Sequence, residues 1–572
     1  MRRFLRTYYP EVLIIGAIFT ILMIDLAPDF TFINKAADSV GYIYSAKYLY
    51  PSYHTSAPLY LLLSHVFLWI PFGTDAWRMG LLSVFSTTGA CVFIYLIIRN
   101  LTQKRWLAIL GTIAYGTSAL VLSQSVIVNT YAFTTFLAIG AYYFATLKKW
   151  KLASLMLCFA IGVHLLGVIV WMLFFIFKDF RKNWKAIAIS ISGFLFYLYI
   201  PITSRPPYMW LPNPADTNIV SAVVGDTISV ISMLVGNISI WALPKKIFDT
   251  IGLIGVSLGV VLAIPLIYYI KTIGKKILIQ PIFWLAFVPI ILFVGELDMN
   301  TFDYCMIGVP FLIIMACLGI KQITERYHVR AKVLVYASYV CIIGVGVFNG
   351  YYFDIGKVTD PNMSASKLYY EEFPKIPSDG IFMPNGGWNW EAIFLYNREN
   401  GKHIYPICID ILPNEIYREQ LKKDGIKLEF DEEAGLSLAA MKTAQSIIEL
   451  NDNVYTTVYT DVKTFGCVVV NANHDKSLVM PVDEALIKKN ETNPDWQWIP
   501  DNPYEIMRTS LFMTKWGYAV VSPYYNFRTF MILFLLIYGS MIVVPKLFNR
   551  RKKKNENTIP KKEKEGSPTS SL

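Results

Sequence analysis

An acidic residue, Asp38, lies in INKAADSVGYIYSAKYLY, just past the first apolar run of the chain. A carboxylate at the rim of a membrane cavity can take the proton of a substrate hydroxyl. An Asp ahead of a helical stretch is also a good N-cap. His54 follows in PSYHTSAPLYLLLSHVF, where an imidazole can bind a phosphate or relay a proton. Two arginines stand at the ends of apolar runs, Arg78 in DAWRMGLL and Arg205 in YIPITSRPPYMWLPNP. The planar guanidinium donates two parallel hydrogen bonds to phosphate, although snorkelling toward headgroups would place both residues equally well. His164, in IGVHLLG, falls inside an apolar run, where an ionisable residue marks a functional candidate. Asn129 and Tyr131 open another run in NTYAFTT. With His164 and Trp210 they are the candidate contacts to a sugar or an acceptor. Glu296, Asp298 and Asp303 form an acidic cluster in VGELDMNTFDYC, able to hold a divalent cation but read first as a solvated loop.

The elements that must position these residues follow from composition. The 572 residues are 55% hydrophobic and only 16% charged. Soluble domains carry roughly 25% charged residues. An ordinary soluble enzyme, a disordered chain and a disulfide scaffold are excluded, and a polytopic membrane protein is indicated. The formal charge of +11 suits basic cytoplasmic loops better than nucleic acid. The seven cysteines form no C-x-x-C pair; five lie in apolar runs, while Cys408 and Cys467 leave a pairing open. There is no P-loop, no G-x-S-x-G elbow and no H-E-x-x-H.

A bilayer span needs about 20 apolar residues. Runs at 11–27, 77–98, 106–123, 131–147, 186–203, 251–270, 277–295, 304–320, 332–350 and 526–545 qualify. The run 152–177 is too long for one simple span and has basic flanks at both ends, so two half-helices meeting near His164 are expected to return the chain to the side it left. The total is about 12 transmembrane helices. The basic clusters 2–6, 99–105, 148–151, 178–185, 271–276, 321–332 and 546–554 then all fall on one side, with both termini cytoplasmic. The first apolar stretch is expected to remain as a span, since no small-x-small site ends it. Pro58–Gly73 is too short to cross and is expected to lie along the outer interface.

The fold class is therefore a polytopic α-helical membrane protein with an extracytoplasmic α/β domain. Residues 1–350 form the membrane module, 351–525 the outer domain, 526–545 a last span and 546–572 a basic disordered tail. In the outer domain, strands are expected at 380–384, 404–411, 426–430, 454–459 and 467–471. Helices are expected at 388–400, 413–424 and 437–450. Alternation of the two predicts a small, mostly parallel sheet.

This order of parts resembles the GT-C glycosyltransferases, in particular the protein O-mannosyltransferase-like branch with a large C-terminal outer domain. Asp38-Ser39, followed by His54-Thr55-Ser56-Ala57-Pro58-Leu59-Tyr60, is similar to that group's D-S-G-E and H-P-P-G-x-P-L-Y motifs. IGVHLLG resembles its G-x-x-H-L motif, and YLYIPITSR its Y-L-Y-L-P-I-R-S segment. A strand–helix–strand unit at 379–412 is likewise similar. The departures are Val40-Gly41 in place of Gly-Glu, Thr55-Ser56 in place of two prolines, and Arg205 two residues late. The resemblance implies a polyprenyl-phosphate-linked sugar donor and a protein or glycan acceptor. It makes Asp38 the general base, with Arg205, Arg78 and His54 at the donor phosphate, and requires no metal. An integral membrane protein is expected, with the cell membrane preferred over the endoplasmic reticulum. A transporter or flippase of a lipid-linked sugar is the alternative, since broken helices also suit that task; an outward-facing scaffold without catalysis is a third.

Overall fold

The computed structural model describes residues 2–24, 26, 36–49, 57–203, 262–293, 299–327, 368–383, 390–409, 412–431, 436–461 and 466–474. The chain divides into two units, Met1–Ala519 and Val520–Leu572, and every described residue belongs to the first. The expected spans 332–350 and 526–545, the segment 204–250 and the tail 546–572 lie outside the described residues.

The apolar runs fold as helices, but several are shorter than their runs. In chain order they are α1 (Arg2–Ile24), α2 (Ala36–Tyr48), α3 (Pro58–Phe67), α4 (Asp75–Thr102), α5 (Arg105–Gly116) and α6 (Ala119–Ser125). Next come α7 (Tyr131–Thr146), α8 (Trp150–Val163), α9 (Leu166–Phe174), α10 (Lys178–Lys182), α11 (Trp184–Ile191), α12 (Tyr199–Thr203), α13 (Pro281–Phe293) and α14 (Val309–Tyr327). Helix α4 is well punctuated. Thr74 Oγ1 accepts from the Trp77 N–H at 3.1 Å, and Gln103 ends the helix in the left-handed region at φ 57°. Its 28 residues rise about 42 Å, more than the roughly 30 Å hydrocarbon layer.

Among the described residues, Asp75–Thr102 and Tyr304–Arg326 are long and apolar enough to cross a bilayer. A third span is added if the bent pair Leu262–Ile279 and Pro281–Leu292 is counted as one. The other runs are interrupted for local reasons. The run 106–123 breaks at Thr117-Ser118, where Ser118 is extended and Thr117 bonds back to the Ile113 carbonyl. The pair around Gln280 bends by 96° because Gln280 precedes Pro281 and is pushed out of the helical region, to φ −92°, ψ 121°.

The expected break near His164 is present. His164 is extended, at φ −161° and ψ 149°, between α8 and α9. Phe177, just beyond α9, packs against Trp150 at the start of α8, with ring centroids 5.6 Å apart. The pair therefore folds back on itself. From there α11, a 3-10 turn Ser192–Leu198 and α12 run beside α8 in the same direction, with Ser192 near Cys158 and the Tyr197 hydroxyl on the Ile161 carbonyl at 3.0 Å. This close approach requires Gly193: a Cβ there would lie 2.3 Å from the Cys158 carbonyl oxygen.

The α/β part of the chain, expected above to form the outer domain, contains β1 (Ile381–Phe382), α15 (Trp390–Asn400), β2 (Tyr405–Pro406), α16 (Glu415–Lys423), α17 (Leu436–Leu450), β3 (Val454–Asp461) and β4 (Gly466–Asn471). The sheet order is β2-β1-β3-β4, parallel except for the antiparallel β3–β4 pair. The expected strand 404–411 contracts to an edge pair, as Pro406 cannot donate to a ladder. The stretch 426–430, expected as a strand, has no regular secondary structure and lies outside the sheet. Its backbone is satisfied by side chains instead: Asn451 brackets Lys427 with bonds of 3.0 and 2.7 Å, and Ser446 accepts from Glu429 N–H at 2.9 Å. Cys408 is a buried thiol.

We expect Gly193→Val to force α8 and the Ser192–Leu198 turn apart. Thermal melting in detergent micelles should show a loss of about 1–3 kcal/mol of stability; an unchanged melt would mean that the two segments do not meet at residue 193.

Candidate active site

Helix α2 carries the acid. Asp38 lies in its first turn, and the next residue fixes where that turn sits. Ser39 is buried, and its Oγ donates to the Val128 carbonyl at 3.0 Å. The same loop is held from α4, where Ser83 Oγ donates to the Ile127 carbonyl at 2.9 Å. Asn129 follows in the loop, also buried. Its amide nitrogen donates to Gln124 Oε1 at 2.7 Å, and its Oδ1 accepts the Thr130 N–H at 2.6 Å at the entrance to α7. The Asn129 side chain thus shapes the loop that receives Ser39.

One turn further, Tyr131 begins α7 and meets two other aromatic rings. His164 lies 5.5 Å from it and Tyr304 5.0 Å, and the His164–Tyr304 separation is 5.8 Å. Three separate elements converge here: the start of α7, the break between α8 and α9, and the 3-10 turn Met299–Gly308 ahead of α14. His164 Nδ1 accepts the Leu166 N–H at 3.1 Å, so the neutral ring carries its proton on Nε2. Asn129 therefore directly follows the residue that bonds Ser39, and Tyr131 and His164 meet each other at the helix start that comes next. Tyr304 joins them; in the sequence it reads only as the first residue of a span, next to Asp303.

Arg78 is not part of this group. Its Nε and Nη1 donate to the Phe72 and Leu68 carbonyls at 3.1 Å each, and Nη1 reaches Asp75 at 3.4 Å. It clamps the loop between α3 and α4. His54, Arg205, Trp210, Glu296 and Asp298 lie outside the described residues. Asp303 lies on the described 3-10 turn. Among the described residues no three His, Cys, Asp or Glu side chains form a metal-holding group. His65, on α3, is occupied by a hydrogen bond between its Nδ1 and the Ala46 carbonyl at 2.7 Å.

The C-terminal end of α2 is held by a different interaction. Lys47 bridges Asp75 of α4, at 2.8 Å, and Glu399 of α15 in the outer domain. Glu399 also accepts the Tyr369 hydroxyl. Around this bridge, Arg398 lies over the Tyr48 ring at 5.1 Å and Phe394 meets Tyr44 at 6.1 Å. One apolar core runs from Ile43 and Tyr60 through Ala160 to Phe373, Phe382 and Ile393, so the outer domain and the helices share buried surface. Burial pulls the Lys47 ammonium down, but its bonds to Asp75 and Glu399 outweigh this and hold it above the usual lysine range. Burial and the Glu399 carboxylate together raise the Tyr369 hydroxyl.

Because the Lys47 value is raised on folding, its contribution is complete below about pH 10 and is lost as pH rises through the folded value. In a double-mutant cycle of Lys47→Met and Glu399→Gln, we expect a coupling of about 1 kcal/mol in chemical denaturation, since both groups are partly exposed. Additive losses would show that the pair does not tie the outer domain to α2.

Residues 38–187 match the family model "Protein O-mannosyl-transferase TMEM260 N-terminal domain". That is about a quarter of the chain, and it begins at Asp38. No curated protein matches the chain. Among solved structures, ArnT from Cupriavidus metallidurans in the apo state is 10% identical, with a TM-score of 0.48 over 83% of this chain and 100% of that one. ArnT bound to undecaprenyl phosphate is 11% identical, with a TM-score of 0.48 over 81% of this chain and 98% of that one. Residues 38–187, which hold Asp38, Asn129, Tyr131 and His164, are thus similar to the N-terminal domain of a protein O-mannosyl-transferase family.

Proposed function

We propose that the chain moves a sugar, with mannose the first candidate, from a polyprenyl-phosphate donor to a hydroxyl on the non-cytoplasmic side of the membrane. A protein serine or threonine is the acceptor we favour. The proposal includes about twelve spans, a cell-membrane location and both termini in the cytoplasm.

The observation that carries it is the Ser39–Val128 bond, which sets the backbone of Asp38 beside the loop leading to Tyr131, His164 and Tyr304. In the proposed step, the Asp38 carboxylate takes the proton of the acceptor hydroxyl. The oxygen attacks the anomeric carbon as the bond to the lipid phosphate breaks on the opposite face, and the configuration inverts. One carboxylate suffices, unlike the paired acids of a hydrolase. The phosphate leaves with its own negative charge, so no acid need protonate it. What helps is a cation whose contact strengthens as that charge grows. Arg205 and His54 are the proposed contacts. Arg78 is less suited, because its guanidinium is already bonded to two carbonyls. It is also linked through Asp75 to Lys47, about 13 Å along α2 from residue 38. A metal is not needed in this scheme.

The aromatic cluster supports a sugar or acceptor contact, since ring faces cover the apolar side of a pyranose. A transporter would need its ionisable site reachable from both sides. His164 instead lies level with the first residue of α7.

Asp38→Asn should lower transfer from labelled polyprenyl-phosphate mannose by about 10²–10⁴-fold in proteoliposomes while leaving the melt unchanged. Transfer at the wild-type rate would remove Asp38 from the role of base. Tyr304→Leu should raise the acceptor KM by about tenfold with a smaller change in kcat. An equal loss in both would instead place Tyr304 in transition-state stabilisation.

A further inference from the structure

At the far end of α4 from Asp75 lies a second constellation that the proposed transfer does not use. Glu11 of α1 accepts from Arg105 Nε and Nη2 of α5, each at 2.6 Å, and from the Tyr95 hydroxyl of α4, also at 2.6 Å. Glu11 is 5% exposed, so this junction fixes three helix ends against one another. The turn from α4 to α5 is equally fixed. Gln103 sits at φ 57° with its N–H on the Arg99 carbonyl at 2.9 Å, and Lys104 N–H donates to Thr102 Oγ1 at 3.1 Å.

Between these parts opens a cleft of about 540 Å³, lined by Pro10, Arg99, Gln103, Lys104, Trp106 and Ile109, with Arg105 at its edge. Its charge is unbalanced. Arg105 is matched by Glu11. Arg99 makes a bond to the Gln103 carbonyl, and neither Arg99 nor Lys104 has a carboxylate partner among the described residues. A third cation, Lys321 of α14, reaches the neighbouring Leu101 carbonyl at 3.4 Å. Apolar side chains are exposed beside the cleft: Tyr9 at 59%, Leu13 at 52% and Leu101 at 37%. An open pair of cations next to exposed apolar surface, with a tryptophan in the wall, matches the boundary between headgroups and acyl chains. The excess of basic residues assigns this end to the cytoplasmic side.

We propose that this cleft binds the phosphate of an anionic phospholipid between the Arg99 guanidinium and the Lys104 ammonium, with the acyl chains against Tyr9 and Leu13. The guanidinium offers a fork to two phosphate oxygens, and the ammonium adds a point charge. The lipid ties α1 to the α4–α5 turn from outside, as Glu11 does from inside.

The test uses the full chain in nanodiscs of phosphatidylcholine alone and of phosphatidylcholine with phosphatidylglycerol at roughly 3:1. Retained phosphatidylglycerol is read by native mass spectrometry, and the melting temperature is taken alongside. Wild type should retain the anionic lipid and melt higher in the mixed discs. Lys104→Gln should reduce retention roughly fivefold, and Arg99→Gln/Lys104→Gln further still, with melting in phosphatidylcholine alone unchanged. Retention and melting shifts equal to wild type in the double variant would overturn the proposal. Should the double variant melt low even in neutral lipid, the single Lys104→Gln variant decides by its retention alone. If inorganic phosphate raises the wild-type melt in neutral discs as far as phosphatidylglycerol does, the site takes the free anion and the lipid assignment is wrong.

Discussion

A helix of 13 residues is too short to hold itself together in isolation, and α2 is such a helix. Whatever places Asp38 must therefore come from outside α2, and it comes at both ends. Ser39 is tied to the Val128 carbonyl at the N-terminal end. Lys47 is tied to Asp75 and Glu399 at the C-terminal end, and Ile43 and Tyr44 enter the shared apolar core between them. The first tie sets α2 against the loop that opens α7, and the second sets it against the outer domain. In the proposed transfer the base must sit within hydrogen-bond reach of the proton it removes, so an error of about 1 Å in this helix would cost rate. The α/β part thus takes a share in placing α2, because its Glu399 holds Lys47 at the helix end.

The local parts of this arrangement were legible in the sequence, and the long-range parts were not. The broken run at His164 follows from length and from basic residues at both flanks, and the helix pair returns as that argument requires. The alternation of β1, α15, β2, α16, α17 and β3 follows from periodicity in the sequence. The stretch 426–430 has strand composition, yet its backbone partners are Ser446 of α17 and Asn451 just beyond that helix, which no pattern within five residues can announce. The bridge from Lys47 to Glu399 spans 352 residues of chain. Nothing in the surroundings of either residue distinguishes it from an ordinary surface charge.

The count of spans shows the same division. Hydropathy measures whether a run prefers lipid, and it cannot see a Ser118 or a Gln280 that interrupts the helix inside that run. Each interruption has a cause visible only with backbone angles in hand, such as the extended Gln280 before Pro281. Of the candidates singled out by residue type, Tyr131 and His164 meet in the structure, Asn129 lies in the same loop, and Asp38 precedes Ser39 on α2. Tyr304 was missed because an aromatic residue at the head of an apolar run looks like part of the run.

The depth of the aromatic cluster bears on whether the molecule moves a substrate through the membrane or acts on it at one face. Tyr131 is the first residue of α7, and the helix then continues for 15 residues, about 22 Å. Along that length the described side chains around α7 are closely packed. Ala138 and Ile139 are fully buried, Tyr142 packs edge-on against Phe311 at 5.4 Å, and Phe177 closes against Trp150 beyond it. A carrier needs two packings of this interior that differ by a few kcal/mol, and interlocked rings of this kind resist a second arrangement. The half-helix α9 points the same way: it returns the chain along α8 and adds Phe174 to the packed end rather than lining a path. The candidate site, at one end of these packed helices and beside a short helix that the α/β part helps to fix, suits the proposed chemistry on a substrate arriving from a single side.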